Sequence, residues 1–202
     1  MLSYSESLRI LKETEALLEG HFILSSGLHS NRYVQCAKLL SLPKKAEIVC
    51  VSLVEKIKSN FGKIDIVLSP AIGGIVVGYV IGKHLNAQTI FAERVEDKLS
   101  LRRGFSIPKD SKVLVVEDVV TTGKSALECS KIVIENEARL IGYACIIDRS
   151  NNELLIKDRI ISQIKINIPV YDENDLPNDL KKITAVKPGS RNLAEWIKLD
   201  LA

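Results

Sequence analysis

Val113-Leu-Val-Val-Glu117-Asp118-Val-Val-Thr121-Thr122-Gly123-Lys124-Ser125 is the stretch that decides the architecture. Four consecutive apolar and mostly β-branched residues, Val113 to Val116, predict a strand buried on both faces, as inside a parallel sheet. Two carboxylates follow, then a small hydroxyl-rich turn with one glycine. From Lys124 onward Ala126, Leu127, Ile132 and Ile134 recur at near-helical spacing among Glu128, Lys131 and Glu135, which predicts a helix. The segment therefore reads as strand, acidic step, glycine turn, helix. Ligands of an open α/β sheet bind at the carboxyl ends of its strands, and this turn lies at such an end.

The turn has the chemistry of an anion site. A helix start offers unpaired backbone N–H groups and the positive end of a dipole. Gly123 lets the backbone approach a ligand without a Cβ, while Thr121, Thr122 and Ser125 add hydroxyl donors and Lys124 adds a charge. A phosphate suits that cradle. The carboxylates of Glu117 and Asp118 would repel a phosphate but accept the hydroxyls of a vicinal diol. A phosphate close to a diol describes a ribose 5-phosphate. The competing P-loop reading, ending at Gly123-Lys124-Ser125, fails because Asp118 stands where that motif needs its first glycine.

Outward from this stretch the chain alternates between strand and helix patterns. Upstream, Ser3 to Leu18 predicts an amphipathic helix ended by Gly20. Two short strands around a turn at Gly27 follow, in His21 to Ser30 and Arg32 to Cys36. Pro43 opens a second helix carrying Ile48, Val51, Leu53, Val54 and Ile57. Ile64 to Leu68 predicts a buried strand broken by Ser69-Pro-Ala-Ile-Gly-Gly74, then a helix over Ile75 to Leu85 and a strand over Gln88 to Glu93. Residues 93–104 mix charges with neither period and read as a mobile loop or hairpin. Downstream, Leu140 to Ile147 predicts a strand ending at Asp148-Arg149-Ser150, and Ile160 to Ile168 shows one more apolar alternation. The tail from Pro169 holds Pro177, Pro188, Gly189 and the single Trp196. The expected fold is α/β, an open and mainly parallel sheet of right-handed βαβ units flanked by helices. A single domain is expected, with residues 43–150 as its core and 1–42 and 151–202 as additions.

Composition supports an ordinary globular chain. At 202 residues one domain is the default, and an apolar fraction of 46% beside a charged fraction of 26% leaves enough core to fold alone. A net charge of +3 makes no independent case for nucleic acid. Cys36, Cys50, Cys129 and Cys145 show no metal-ligand spacing and sit among apolar residues, so reduced core thiols are expected. There is no leader-like N-terminus and no apolar run approaching membrane length, and a cytosolic protein is expected. His29 and His84 read as structural and His21 as a turn residue.

The segment Val-Val-Glu-Asp-Val-Val-Thr-Thr-Gly-Lys-Ser resembles the phosphoribosyl-diphosphate (PRPP) signature of the type I phosphoribosyltransferases. The resemblance implies that Glu117 and Asp118 hold the ribose 2′ and 3′ hydroxyls, and that Val119, Val120, Thr121, Thr122, Gly123, Lys124 and Ser125 surround the 5′-phosphate. It makes the second glycine-rich junction, with Ala71, Ile72 and Gly73, a candidate diphosphate cradle, and it implies a cis peptide at Ala71–Ile72. Leu24-Ser-Ser26-Gly27-Leu-His-Ser30, Arg32-Tyr33-Val34-Gln35 and Asp148-Arg149-Ser150 are similar to the orotate phosphoribosyltransferases, a likeness covering residues 18 to 150 and implying a small N-terminal hood. By it Tyr33 and Val34 hold the pyrimidine, Arg149 clamps the orotate carboxylate, and Thr121 touches both ligands. A planar guanidinium matches a carboxylate bidentately, which suits that role.

The resemblance has departures. Many family members carry lysine where Ser25 and Gly73 stand, and the common Lys-Asp-His-Gly loop is absent. Phe91 to Phe105 looks instead like a sub-branch with Phe-Ala-Glu-Arg and Leu-Arg-Arg-Gly-Phe. Arg94, Lys98, Arg102 and Arg103 are then the candidates for neutralising the diphosphate, the last three as catalytic residues. The implied reaction is Mg²⁺-dependent transfer of ribose 5-phosphate from PRPP to orotate, in pyrimidine synthesis. The metal is held mainly through PRPP, with Asp118 as the one further candidate ligand. A homodimer is implied, with loop 93–104 reaching the partner's site, and neither nucleic acid nor membrane is an expected partner. Two rivals are a transferase for another base such as a purine, which has no carboxylate for Arg149, and a PRPP-sensing regulator that binds nucleic acid. The second would need a DNA-binding segment or a broad basic face, and no helix-turn-helix precedes residue 20.

Overall fold

The computed structural model describes residues 1–24, 26–150 and 154–188. Ser25, Asn151-Asn152, Gly189 and Trp196 lie outside the described residues. The N-terminal part comprises α1 (Tyr4–Glu13), β1 (Leu17–Ile23), β2 (His29–Val34), α2 (Cys36–Leu40) and α3 (Pro43–Asn60). The middle runs β3 (Ile66–Pro70), α4 (Gly73–Leu85), β4 (Gln88–Val95), β5 (Lys98–Leu101), β6 (Lys112–Val120), α5 (Lys124–Glu135) and β7 (Arg139–Asp148). Then come β8 (Ile160–Lys165), β9 (Val170–Tyr171), a 3₁₀ turn and α6 (Asn178–Lys181).

Strand β6 lies inside a six-stranded sheet of order β5-β4-β3-β6-β7-β8, in which only the β4–β5 pair is antiparallel. Its run is apolar on both faces because both are covered. Val113 and Val115 pack with Ile66, Leu68 and Tyr143 under Ala126, Cys129, Ile132 and Val133 of α5. Leu114 and Val116 pack with Val67, Ala144 and Ile146 under residues of α1, α3 and α4. The expected open, mainly parallel α/β sheet is therefore what the chain forms. The N-terminal hairpin stands apart as a three-stranded sheet, β1-β2-β9, with the predicted turn at Gly27 in a left-handed conformation (φ +84°).

Helix α4 lies unusually close to the sheet. A Cβ at Gly78 would fall 2.1 Å from Ser69 Oγ, one at Gly82 would fall 2.2 Å from Thr89 Oγ1, and one at Gly74 would fall 3.2 Å from the Val116 carbonyl. These glycines recur every four residues and so form one row along the helix. With no side chains in the way, the helix backbone rests on β3 and β4, and its N-terminus is held at the carboxyl ends of β3 and β6.

Several boundaries differ from expectation. The first helix ends at Glu13 rather than Leu18. Thr14 Oγ1 donates to the Ile10 carbonyl (2.8 Å), Glu15 turns into the left-handed region (φ +56°), and Leu17 pairs with Val34 in the sheet. Leu17 and Leu18 thus serve a strand and do not extend the amphipathic face of the helix. The strand expected over Val113 to Val116 runs on through Glu117 and Asp118, because the ladder to β7 continues to Val120↔Asp148. Residues 93–104 form the hairpin alternative. Glu96 and Asp97 both have positive φ (+46° and +67°), the pattern of a two-residue turn whose twist matches its flanking strands.

Candidate active site

The site is built where β3 and β6 end side by side. Leu68 pairs with Val115 as the last β3–β6 partner, after which the two chains diverge. Leaving β3, the chain passes Ala71, whose N–H donates to the Ala92 carbonyl (2.7 Å), and the Ala71–Ile72 peptide is cis, as the resemblance implied. A Cβ on Gly73 would lie 2.8 and 2.9 Å from the two carboxylate oxygens of Asp118. The acidic pair and the second glycine junction, 45 positions apart in sequence, are thus brought into contact. A glycine is what lets them meet.

Burial governs the charge of the pair. Glu117 is 8% exposed, and removal from water, with the Asp118 carboxylate beside it, pushes its carboxyl up to about 8. Asp118 is also raised by burial, a rise opposed by its own backbone N–H and that of Val119. Without ligand, then, Glu117 holds a proton at neutral pH and can donate to a hydroxyl, while Asp118 is the stronger acceptor. An unfolded glutamate ionises near pH 4.3, so the folded chain keeps a proton that the unfolded chain has lost. Stability falls as pH rises between those values, by about 1.4 kcal/mol per pH unit, and levels off above about 8. Glu117→Gln abolishes that titration. The melting temperature of the ligand-free variant should gain on that of the parent by a margin that grows from pH 6 to about pH 8 and is constant above it. A margin constant throughout would show that Glu117 is not held protonated.

The turn after β6 has the form of an anion cradle. Gly123 is the N-cap of α5 in a left-handed conformation (φ +74°), and a Cβ there would fall 2.7 Å from Ile156 Cδ1. Leu155 N–H donates to the Thr122 carbonyl (2.9 Å), so the segment after β7 supports the turn from behind. Among the described residues nothing accepts from the N–H groups of Thr122, Gly123 or Ser125, and Thr121, Thr122 and Lys124 are exposed. Sequence reasoning had no signal for Ile156 or Leu154, which come from a segment without periodicity.

Arg149 and Tyr33 lie on a third side. Arg149 N–H donates to the Val120 carbonyl (2.9 Å), which fixes the residue at the end of the acidic strand. Its Nε is buried with no hydrogen-bond partner. Burial lowers the guanidinium below its ordinary range, an effect partly offset by Tyr33. The ring of Tyr33 packs on Phe22 with centroids 5.8 Å apart. Val34 is buried, and Cys36, just beyond it, places Sγ 3.9 Å from the Asp118 carbonyl. Hood strand and acidic strand therefore end together, a contact the sequence did not suggest.

The four hairpin cations are not equivalent. Arg103 grips Glu93 through two hydrogen bonds (2.9 and 2.8 Å) and lies over the Phe91 ring, itself edge-on to Phe105. Arg94 pairs with Glu128 of α5 (3.2 Å) and donates to the Asp97 carbonyl (2.6 Å). Lys98 and Arg102 are exposed and make no ion pair among the described residues, although the Arg102 charge also acts on Glu93 at longer range.

Asp118 is the candidate, among the described residues, for holding a divalent metal. Among the described residues no three His, Cys, Asp or Glu side chains gather as a cage. The Asp118 carboxylate nevertheless stands against Gly73 at the start of α4, where an anion would lie, and a hard cation between two oxygen anions suits that geometry.

A model of the phosphoribosyl transferase domain matches residues 40–175. The chain is 47% identical over 189 residues to an orotate phosphoribosyltransferase of Methylorubrum populi, spanning 93% of this chain and 96% of that relative. The chain belongs to the orotate phosphoribosyltransferase family. A second member, from Caldicellulosiruptor saccharolyticus, is 43% identical over 186 residues, or 92% of this chain and 96% of its own. The crystal structure of the family member from Aeropyrum pernix shares the fold, with a TM-score of 0.65 at 23% identity over 78% of this chain and 92% of that one. The type I phosphoribosyltransferase fold implied by the resemblance is thereby established. No helix among the described residues is long and apolar enough to cross a membrane.

Proposed function

We propose that this protein is an orotate phosphoribosyltransferase that converts PRPP and orotate to orotidine 5′-monophosphate and pyrophosphate, in pyrimidine nucleotide synthesis. The family supports the reaction class, a pentosyl transfer. The observation that carries the choice of base is Arg149, a half-buried arginine with an unpartnered Nε beside Tyr33 at the end of the acidic strand. A buried donor without a partner is costly unless a ligand supplies the acceptor. Orotate brings a carboxylate, and a purine does not.

Orotate N1 gives up its hydrogen and bonds to C1 of the ribose as the bond from C1 to the diphosphate oxygen breaks. The diphosphate leaves with that electron pair while the N1 proton passes to it or to water. Positive charge grows at C1 and the ring oxygen while negative charge grows on the leaving group, so positioning and electrostatics supply most of the catalysis. Thr121, Thr122, Gly123, Lys124 and Ser125, with the flanking Val119 and Val120, hold the 5′-phosphate. Glu117 and Asp118 hold the ribose hydroxyls, and Ala71, Ile72 and Gly73 face the diphosphate. Tyr33, Val34 and Thr121 set the pyrimidine ring against Arg149. Mg²⁺, when bound through PRPP and Asp118, would neutralise the departing diphosphate. Lys98 and Arg102 are the hairpin cations already available to assist, whereas Arg94 and Arg103 would first leave Glu128 and Glu93. Closure of the hairpin would exclude water from the activated sugar. We place the reaction in a cytoplasmic homodimer in which each hairpin reaches the neighbouring site, a setting compatible with the four free buried cysteines.

The direct test follows orotate absorbance with PRPP, with and without Mg²⁺. Loss of orotate only when both are present is the expected result. Consumption of adenine or hypoxanthine with orotate untouched would transfer the assignment to a purine.

A further inference from the structure

The C-terminal segment grips the strand of Tyr33 and Val34 from both edges of the hood hairpin. On the β2 edge, β9 pairs Tyr171 with His29 and Val170 with Ser30, and Ser30 Oγ donates to the Pro169 carbonyl (2.8 Å). On the β1 edge, Ile23 N–H donates to the Val186 carbonyl (2.8 Å) and Val186 N–H donates to the His21 carbonyl (2.9 Å). Between the two lies α6, anchored by buried Leu180. An isolated hairpin is marginal in water, and this strap supplies the flanking pairing that it lacks.

Two buried histidines join strap to hairpin. In β1, Glu19 faces Arg32 and Phe22 faces Ser30, so Gly20 and His21 together oppose Asn31, a bulge that re-aims the His21 ring. His21 Nε2 then lies 2.7 Å from His29 Nδ1, and His21 Nδ1 lies 2.9 Å from the Ile183 carbonyl. The rings are 5% and 6% exposed. A carbonyl only accepts, so His21 Nδ1 carries the hydrogen. With its hydrogen on Nδ1, the His21 ring offers Nε2 as an acceptor, and His29 Nδ1–H donates to it. The chain His29 to His21 to Ile183 has one direction and fixes both rings. Beside His21 is Phe22, whose ring supports Tyr33.

We infer that His21 and His29 are positioning residues for the pyrimidine substrate. Both nitrogens of His21 and Nδ1 of His29 are taken up by each other and by the Ile183 carbonyl. The two rings pin the strap to the hairpin and so hold Tyr33 and Val34 opposite Arg149. The inference rests on the orotate reading above and deepens it.

The test uses an isosteric pair in the full chain. The amide nitrogen of asparagine reaches the Nδ1 position, and that of glutamine reaches the Nε2 position instead. His29→Asn should keep KM for orotate within about twofold of the parent, whereas His29→Gln, which leaves His21 Nε2 buried and unpaired, should raise it about tenfold. KM for PRPP should stay unchanged in both. Amide hydrogen exchange without substrate should speed up in His29→Gln at β2 and at residues 183–186 together, with β6 unaffected. An unchanged KM for orotate in His29→Gln, or an equal rise for both substrates, overturns the inference. So does exchange that quickens across the whole molecule. If the parent protein leaves orotate untouched, the substrate reading has failed instead, and the exchange pattern still decides whether the histidines couple strap to strand.

Discussion

Arg149→Ala should raise KM for orotate by about a hundredfold or more while KM for PRPP stays within about twofold. Truncating one partner of a buried, hydrogen-bonded charge pair costs about 2–5 kcal/mol, much of it from the charge left behind, here the orotate carboxylate. Arg149→Lys should recover little, because an ammonium cannot reproduce two parallel N–H donors in one plane. Steady-state kinetics with each substrate varied in turn is the measurement. An equal loss for both substrates would mean that Arg149 supports the whole site and does not clamp the base.

Asp118→Asn should lower turnover by about a hundredfold and leave the fold intact. The isosteric amide keeps an oxygen for the backbone N–H groups of Asp118 and Val119 that favour the carboxylate. What it loses is the charge beside Gly73, which in the proposed reaction accepts a ribose hydroxyl and would attract a cation opposite the diphosphate. Because burial already disfavours that charge, the melting temperature of the variant should equal or exceed that of the parent near neutral pH. Activity and stability should therefore move apart. Unchanged turnover would remove Asp118 from the chemistry, and a falling melting temperature would give it a structural role.

Much of this was legible from residues alone, where the signal is local. Val113 to Val116 could be read as buried on both faces because nothing else explains four apolar residues in succession before a carboxylate. Gly123 could be read as a helix-entry glycine because the helical period begins one residue later. Local signals failed where a contact comes from far along the chain. Leu17 and Leu18 fit a helical stripe until the distant choice of Val34 and Tyr33 as strand partners is known. Nothing near Gly73 announces the Asp118 carboxylate, and nothing near Gly123 announces Ile156. The four hairpin cations are indistinguishable as letters. Only folding shows that Glu93 and Glu128 pair with two of them and leave Lys98 and Arg102 without an ion pair among the described residues.

The glycine row of α4 bears on how this chain can change over generations. At positions 78 and 82 a Cβ would collide with the Ser69 and Thr89 hydroxyls as they now stand. A larger residue at 78 is accommodated most readily once Ser69 has lost its hydroxyl, and one at 82 once Thr89 has. Drift along this helix therefore favours one order, strand first and helix second, and the reverse order passes through a chain in which those hydroxyls must turn away or α4 must shift on its sheet.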